Sequence, residues 1–223
     1  MKRKEIKLVF FDMDGVLYDN PGYKENSTWS ILFYDLGMSS EHEKLREKFL
    51  KGIFPTYMEW ADEACKILKQ YGLTRRKFME TINKRPLMNG ARETINELKK
   101  RGYKTGGITG SFEALALKAK EELGLDYAIG HCRLIFDDFD NLKDWVLIPC
   151  DFEDKKDFIM KMANDLNISC SECCYIGDGI NDISIFREVG LSIAFNATEE
   201  EVRKNADIII DKKDLREILK YLP

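Results

Sequence analysis

Histidine is scarce in this chain, because its 223 residues include only His42 and His131. The sequence therefore disfavours catalysis by a histidine-based triad. The chain also lacks a run of about 18 apolar residues, the length at which a membrane-spanning helix is suspected. Its basic opening, MKRKEIK, is not followed by the longer apolar stretch and small-residue cleavage site of a signal peptide. We therefore expect a protein without a membrane span, located in the cytoplasm.

A strong excess of charge of either sign is also missing. The chain has 35 Lys and Arg against 39 Asp and Glu, which gives a net charge of −4. Both signs are interspersed, so no basic face for nucleic acid stands out. The six cysteines are expected to be reduced in a cytosolic chain. The C-x-x-C that runs from Cys170 to Cys173 has no second ligand pair for zinc, which favours a loop that enters a buried strand, with Cys174 in the core.

Short apolar runs of strand length alternate with helical patterns along much of the chain. The runs lie at 6–11, 103–108, 127–129, 174–176, 191–194 and 208–210. The helical pattern at 111–124 begins at Ser111, a potential cap, and ends at Gly124. Continuous apolar strands between helices indicate a parallel sheet that is covered on both faces. We therefore predict an α/β fold with a Rossmann-like parallel sheet as its core.

One block interrupts this alternation. Residues 21–85 contain several helical patterns and no convincing strand. We expect them to form a small helical cap domain, inserted after the first strand, while 1–20 and 86–223 form the α/β core domain. Residues 132–150 are apolar in pieces and acidic in the middle, which favours a short antiparallel hairpin beside the main sheet.

Polar residues come directly after several of the predicted strands. They are Asp12 and Asp14 after the first strand, Thr109 and Gly110 after the second, and Asp178, Asn181 and Asp182 after the strand at 174–176. Parallel sheets bind ligands at the carboxyl ends of their strands, and carboxylates that meet there repel one another unless a cation compensates. A Mg²⁺ site built of hard oxygen ligands is therefore predicted. Its candidate ligands are Asp12, Asp14, Asp178 and Asp182.

Asp12 and Asp14 are two positions apart, and in an extended chain residues i and i+2 face the same side. Both carboxylates can therefore address one small ligand. Two like groups serve different roles when their environments differ. One carboxylate held ionised against a metal is suited to act as a nucleophile, and the other, further out, can carry a proton and act as an acid.

The stretches DMDGVL and GDGINDISIF resemble those of the haloacid dehalogenase (HAD) superfamily of aspartate-nucleophile phosphotransferases. Four motifs occur in the order found in that family, and they cover the core of the chain, about 1–20 and 86–223. The resemblance is closest to the phosphoserine-phosphatase-like branch, which carries a helical cap between the first and second motifs, and ITGSF resembles the VSGGF of that branch. The motifs are Asp12-x-Asp14, the strand-end Thr109, a lysine before a helix, and the run Gly177-Asp178-Gly179-x-Asn181-Asp182.

The resemblance implies Mg²⁺-dependent hydrolysis of a small-molecule phosphate monoester through an aspartyl-phosphate intermediate. It implies that Asp12 is the nucleophile, and that Asp14 first protonates the leaving oxygen and then activates water. By the same resemblance, Asp12, the backbone carbonyl of Asp14 and Asp178 hold the Mg²⁺.

The phosphoryl oxygens, by this resemblance, are bound by the side chain of Thr109 and the amide of Gly110. Backbone amides near Met13–Gly15 can add a small anion nest. For Thr109 the alternative is a loop residue that caps the next helix. Ser111 is predicted to be the helix cap rather than a phosphate ligand.

A lysine that neutralises the phosphate completes the resemblance, and two candidates compete for this role. Ungapped comparison with the phosphoserine-phosphatase-like branch, counted back from Asp178, favours Lys155 over Lys156. Asn181 and Asp182 are expected to contact the waters of the metal or to orient Lys155. For Asp182 the alternative is a carboxylate that interacts with a helix dipole.

The chain departs from the phosphoserine enzymes where they bind the serine moiety. The position of their glutamate falls near Pro21, and the region that carries their arginine reads EWADEACK, with Asp62 and Glu63 instead. DGVL also replaces the DST of that branch. We therefore expect a phosphatase whose substrate is another phosphate ester, or a broader set of them, rather than phosphoserine alone.

Two other functions stay open at this point. A sugar phosphomutase would donate the phosphoryl group of its aspartyl phosphate to a second sugar rather than to water. A binding module would keep the HAD fold without catalysis. The product of the reaction, free phosphate or an isomerised sugar phosphate, separates the phosphatase from the mutase.

Overall fold

A seven-stranded sheet forms the centre of the computed structural model, which describes residues 5–23, 25–151 and 153–223. The strand order is β4-β3-β2-β1-β5-β6-β7, and only the β3–β4 pair is antiparallel within these ranges. This confirms the predicted α/β fold. The strands are β1 Leu8–Asp12, β2 Lys104–Phe112, β3 Tyr127–Phe136, β4 Leu142–Leu147, β5 Cys173–Gly177, β6 Leu191–Phe195 and β7 Ile208–Ile210.

Helices lie between most of the strands, whereas β3 and β4 are joined by a short turn. Three short 3-10 helices add to them, at Cys170–Glu172, Ile180–Asp182 and Leu215–Lys220. None of the helices in the described ranges has the length and apolar character that crossing a membrane requires. The α-helices are α1 Thr28–Asp35, α2 Ser39–Leu50, α3 Tyr57–Tyr71, α4 Arg75–Lys84, α5 Ala91–Lys100, α6 Glu113–Leu123, α7 Glu153–Asp165, α8 Ile183–Phe186 and α9 Glu200–Asn205.

Strand β1 lies in the middle of the sheet, hydrogen-bonded to β2 on one side and to β5 on the other. All five of its residues are buried. Val9 and Phe11 belong to the apolar core on one face of the sheet, and Leu8 and Phe10 to the core on the other face. A strand covered on both faces needs an unbroken apolar run, and this run carries Asp12 to the carboxyl edge of the sheet.

Helices α1 to α4 lie between β1 and α5 in the sequence and pack against one side of the sheet. Helix α1 contacts β2, and α3 contacts β4. The rings of Trp29 and Phe112 lie 4.1 Å apart, and those of Phe78 and Phe112 lie 5.0 Å apart. The helical block predicted for 21–85 is therefore present, and its apolar faces share the core of the sheet. The division into core and cap domains stays a prediction.

The end of β2 differs from the prediction. Thr109 and Gly110 were expected after the strand, but β2 continues to Phe112 because it pairs with β3, with a bulge between Thr109 and Phe112. Ser111 consequently lies within β2 and does not cap α6. The N-cap position is taken by Phe112, which makes no side-chain cap hydrogen bond.

The predicted hairpin is present with one difference. Its first strand is the continuation of β3, which runs on to Phe136 and pairs antiparallel with β4. The C-x-x-C also takes the expected position, because Cys170 begins a 3-10 helix that leads into β5, where Cys174 is fully buried.

Candidate active site

The neighbouring ends of β1 and β5 bring three carboxylates together. Asp12, Asp178 and Asp182 each offer an oxygen atom, and these atoms all lie within 4.8 Å of one another. Burial raises the pKa of Asp12 well above its usual range; Lys155 opposes this shift and the carboxylate of Asp182 adds to it. Burial and the charge of Asp12 raise the pKa of Asp178 in the same way. A cluster of this kind is poised to accept a cation, which would keep all three carboxylates ionised.

Lys155 is the cation that faces this cluster, and it is fully buried. Its Nζ donates to Asp12 Oδ1 at 2.7 Å and to Asp182 Oδ1 at 2.6 Å. Burial alone would lower the pKa of Lys155, but the charges of Asp12 and Asp182 outweigh it, and the pKa is raised well above its usual value. Lys156, the competing candidate, lies elsewhere: its Nζ is 3.9 Å from Asp157.

Asp182 connects this lysine to the loop that carries Asp178. Its Oδ2 accepts from the amides of Asp178 and Gly179, both at 3.0 Å, and its Oδ1 accepts from the hydroxyl of Tyr175 at 2.8 Å as well as from Lys155. Its side chain makes no cap hydrogen bond at the start of α8, but it accepts from the amide of Gly179, which is the N-cap residue of the 3-10 helix Ile180–Asp182. The contacts are therefore those expected of both interpretations, because Asp182 binds the lysine and also accepts at the start of a short helix.

Gly15 is required by the close approach of two segments at this site. Its φ of +86° lies in the left-handed region that side chains disfavour. A Cβ at this position would also stand 2.1 Å from Asp178 Oδ2. The turn after Asp14 therefore passes the carboxylate cluster at a distance that only glycine permits.

The carboxylate of Asp14 points away from the cluster and towards the helical block. Its Oδ1 accepts from Thr28 Oγ1 at 2.6 Å and from Arg85 Nη2 at 2.7 Å, and its Oδ2 accepts from the Thr28 amide at 3.2 Å. Of the four candidate metal ligands, Asp14 is therefore the one whose carboxylate the structure does not bring to the others. Its backbone carbonyl stays a candidate ligand.

A cavity of about 230 Å³ opens beside Asp12. Thr109 lies in its wall, and its Oγ1 accepts from the amide of Ser111 at 3.0 Å, so that its own proton is free to be donated. The carbonyl of Gly110 accepts from Trp29 Nε1 at 3.1 Å and from the Tyr57 hydroxyl at 2.8 Å. The lining residues are Asp12, Asp14, Glu25, Asn26, Ser27, Trp29, Tyr57, Thr109, Gly110, Ser111, Asp151, Asp178, Gly179 and Asn181.

Two further predicted residues have different positions. Asn181 lies in the cavity wall, where its Nδ2 donates to Asp151 Oδ1 at 2.7 Å. Met13 has a fully buried side chain and is not among the residues that line the cavity. Any contribution of Met13 to phosphate binding must therefore come from its backbone amide.

Sequence reasoning missed several residues at this site, Glu25 and Asp151 in the cavity wall among them, and two others bear on the chemistry. Arg85 contacts Asp14 from the end of α4. The signal for it in the sequence is an arginine directly before Pro86, at the point where the helical block ends. Ser111 is 2% exposed and lines the cavity, and its Oγ has no hydrogen-bond partner within the described part of the chain. The capping pattern around Ser111 hid this possibility.

Comparisons with known proteins agree with this geometry. The model of a family described as haloacid dehalogenase-like hydrolase matches residues 6–190. The phosphoserine phosphatase of Methanocaldococcus jannaschii is 35% identical over 219 residues, which cover 98% of this chain and 99% of that relative. The phosphoserine phosphatase of Campylobacter jejuni subsp. doylei is 31% identical over 218 residues, with coverage of 97% and 100%. A solved phospho-aspartyl intermediate analogue of phosphoserine phosphatase superposes with a TM-score of 0.82 at 35% identity, and covers 99% of this chain and 100% of that chain.

Proposed function

Because the chain belongs to the haloacid dehalogenase-like hydrolases and is a phosphatase of the phosphoserine-phosphatase-like branch, we propose that Asp12 is its nucleophile and that Mg²⁺ is its metal. One observation carries this proposal: the buried Lys155 bridges Asp12 and Asp182, beside the carboxylate of Asp178. A lysine in that position restrains the nucleophile and offers positive charge to a phosphoryl group bound against it.

The residues present fit a divalent cation with hard oxygen ligands. The ion would be held by Asp12, Asp178 and the backbone carbonyl of Asp14. Asp182 would hold the loop that carries Asp178, through its hydrogen bonds from the amides of Asp178 and Gly179. Carboxylate and carbonyl oxygens are the ligands that Mg²⁺ prefers. When bound, the ion neutralises charge on the nucleophile and on the phosphoryl oxygens.

The reaction then proceeds in two steps. A carboxylate oxygen of Asp12 attacks phosphorus, the bond from phosphorus to the leaving oxygen breaks, and Asp14 gives its proton to that oxygen. In the second step Asp14 takes a proton from water, which attacks the aspartyl phosphate and releases inorganic phosphate. Thr109 and the amide of Gly110 donate to the phosphoryl oxygens throughout, because both line the cavity beside Asp12.

The substrate is a small phosphate ester, and we propose that it differs from phosphoserine or forms a broader set. Among the described residues that line the cavity there is no lysine or arginine, while Glu25 and Asp151 add negative charge. The cation that lies nearby is Arg46: it lines an adjoining cavity that shares Glu25 and Asp151 with this one, and its Nε is 3.7 Å from Glu25 Oε1, so its charge is already partly compensated. Asp62 lies in the segment where the phosphoserine enzymes carry their arginine. It accepts a hydrogen bond from Trp145 Nε1 at 2.9 Å and forms an ion pair with Lys66 at 2.8 Å.

The remaining parts of the proposal concern organisation and location. We propose a core domain at 1–20 and 86–223 with a helical cap at 21–85, because residues of α1, of α3 and of the segment before α1 line the cavity. The near balance of charges favours a free small molecule over nucleic acid as the partner. The proposed location is the cytoplasm.

A panel of phosphate esters, assayed with Mg²⁺ for release of inorganic phosphate, tests the proposal. We expect turnover of several small esters and no dominant preference for phosphoserine. Formation of an isomerised sugar phosphate without free phosphate would indicate a mutase, and no reaction with any ester would indicate a binding module. If phosphoserine were turned over far faster than every other ester, the substrate proposal would be wrong.

A further inference from the structure

The two segments that join the helical block to the sheet meet at the carboxylate of Asp14. Thr28 is the first residue of α1, and Arg85 follows directly after α4. Thr28 contributes its hydroxyl at 2.6 Å and its amide at 3.2 Å, and Arg85 contributes Nη2 at 2.7 Å. Oδ1 of Asp14 is therefore bound from both the entry and the exit of the block, whereas Oδ2 accepts from the Thr28 amide alone and is the oxygen available to carry a proton.

Arg85 is buried to an unusual degree for an arginine. Its side chain is 2% exposed, and within the described residues neither Nε nor Nη1 has a hydrogen-bond partner. Its backbone carbonyl accepts from Lys118 Nζ at 3.2 Å, which fixes the chain at this point. Burying a guanidinium is costly unless a carboxylate compensates. The ion pair with Asp14 is thus the interaction that compensates for burying Arg85.

Asp14 lines the cavity beside Asp12, and its side chain is only 13% exposed. A proton donor acts on a leaving oxygen only when its carboxylate is within hydrogen-bond reach. The donors from Thr28 and Arg85 determine where that carboxylate stands, because they hold it from opposite ends of the helical block.

We propose that Arg85 is a positioning residue: together with Thr28 it holds the Asp14 carboxylate at the cavity wall and makes this placement depend on the seating of the helical block. The inference rests on the proposed role of Asp14 in proton transfer. Arg85 contacts neither Asp12 nor the phosphoryl site, since it is not among the residues that line the cavity. It acts only through Asp14.

The dependence on leaving group separates this role from a merely structural one. An alkoxide needs a proton as it departs, whereas p-nitrophenolate departs without one, and general acid catalysis contributes about 10²- to 10⁴-fold. The quantity to compare is kcat/KM, which reports formation of the aspartyl phosphate and loss of the leaving group. For Arg85→Met we expect kcat/KM for glycerol phosphate to fall about 100-fold and that for p-nitrophenyl phosphate to fall much less.

Three further variants complete the test. Arg85→Lys keeps the charge but not the fork geometry, so it should restore part of the glycerol phosphate activity. Thr28→Val should act in the same direction as Arg85→Met, with a smaller effect. Arg75→Met is the matched control, because it removes an ion pair with Asp140 at the other end of α4 and should leave both substrates unaffected.

Equal losses for the two substrates in Arg85→Met, or no loss for either, would overturn the inference. If Arg85→Met does not fold, as judged by circular dichroism, Arg85→Lys and Thr28→Val decide by the same ratio of the two substrates. Asp14→Asn separates this failure from failure of the proposed function. A selective loss with glycerol phosphate in Asp14→Asn, without one in the Arg85 variants, refutes only the positioning role. No selective loss in Asp14→Asn refutes the proton-transfer assignment itself.

Discussion

The ammonium of Lys155 lies 2.6 Å from the carboxylate of Asp182, and neither side chain has exposed surface. Both groups are therefore removed from water, and each compensates for the buried charge of the other. Such a pair adds little stability relative to an apolar core. Without the Asp182 carboxylate, Lys155 keeps Asp12 at 2.7 Å, but the Tyr175 hydroxyl and two backbone amides lose their charged acceptor. The pair makes the site dependent on both residues.

Asp182→Asn is accordingly expected to lower the free energy of unfolding by about 1–3 kcal/mol, because buried donors lose a charged acceptor. Denaturant unfolding followed by circular dichroism measures this change. Glu47→Gln is the matched control, because it breaks an exposed ion pair with Lys51, whose side chains are 67% and 68% exposed; we expect a loss of about 0–1 kcal/mol there. Comparable losses of unfolding free energy in the two variants would show that the buried pair stabilises the fold no more than an exposed pair does.

Mg²⁺ is expected to raise the melting temperature of the wild-type protein, since a ligand that binds only the folded state stabilises it by mass action. Asp178→Asn should remove most of this rise, because it takes one of the three clustered carboxylates away. Asp138→Asn, a change in the exposed loop between β3 and β4, should leave the rise intact. The metal assignment fails if Asp178→Asn responds to Mg²⁺ as the wild type does.

Ser111→Ala is expected to weaken binding of inorganic phosphate about 10- to 100-fold, because a hydrogen bond to a charged group contributes about 1.5–3 kcal/mol and the Ser111 hydroxyl has no other partner in the described residues. Product inhibition gives the binding constant. Ser192→Ala is a suitable control and should leave phosphate binding unchanged. Ser192 lies in β6 and is as buried as Ser111, but its hydroxyl donates to Asp207 at 3.2 Å. An unchanged inhibition constant in Ser111→Ala would exclude the contact.

His131 should make the protein sensitive to mild acid. It is 1% exposed, and burial lowers its pKa to about 4, whereas an unfolded histidine titrates near 6.5. As the pH falls below about 6.5, the unfolded chain therefore binds a proton at His131 before the folded protein does. The free energy of unfolding decreases progressively as a result, by about 3 kcal/mol near pH 4.

His131→Phe should flatten the decline of unfolding free energy between pH 6.5 and pH 4.5, as measured by urea titrations at several pH values. Carboxylate titrations occur in both proteins, so the difference between the two curves isolates His131. Parallel curves over this range would contradict the expectation.

The parts of the site that follow from local pattern were predictable from the sequence. The apolar run of β1 placed Asp12 at the sheet edge, and the glycine-rich run after β5 placed Asp178 beside it. Lys155 required comparison with a known family, because its neighbour Lys156 is chemically identical and only the fold separates them.

The contacts that sequence reasoning missed are long-range. Arg85 reaches Asp14 from 71 positions away, and no local pattern reports such a pairing. Ser111 was assigned to a helix cap because its local pattern is typical of one. Pairing with β3 extends β2 past that position and turns the residue into part of the cavity wall.

The central claim is that Asp12 attacks phosphorus, and the most direct measurement is mass spectrometry of the protein quenched in acid during turnover of a phosphate ester with Mg²⁺. We predict a phosphoryl adduct on Asp12 in the wild type, and neither adduct nor phosphate release in Asp12→Asn, whose circular dichroism spectrum should match the wild type. Retained turnover in Asp12→Asn, or an adduct on another residue, would contradict the account.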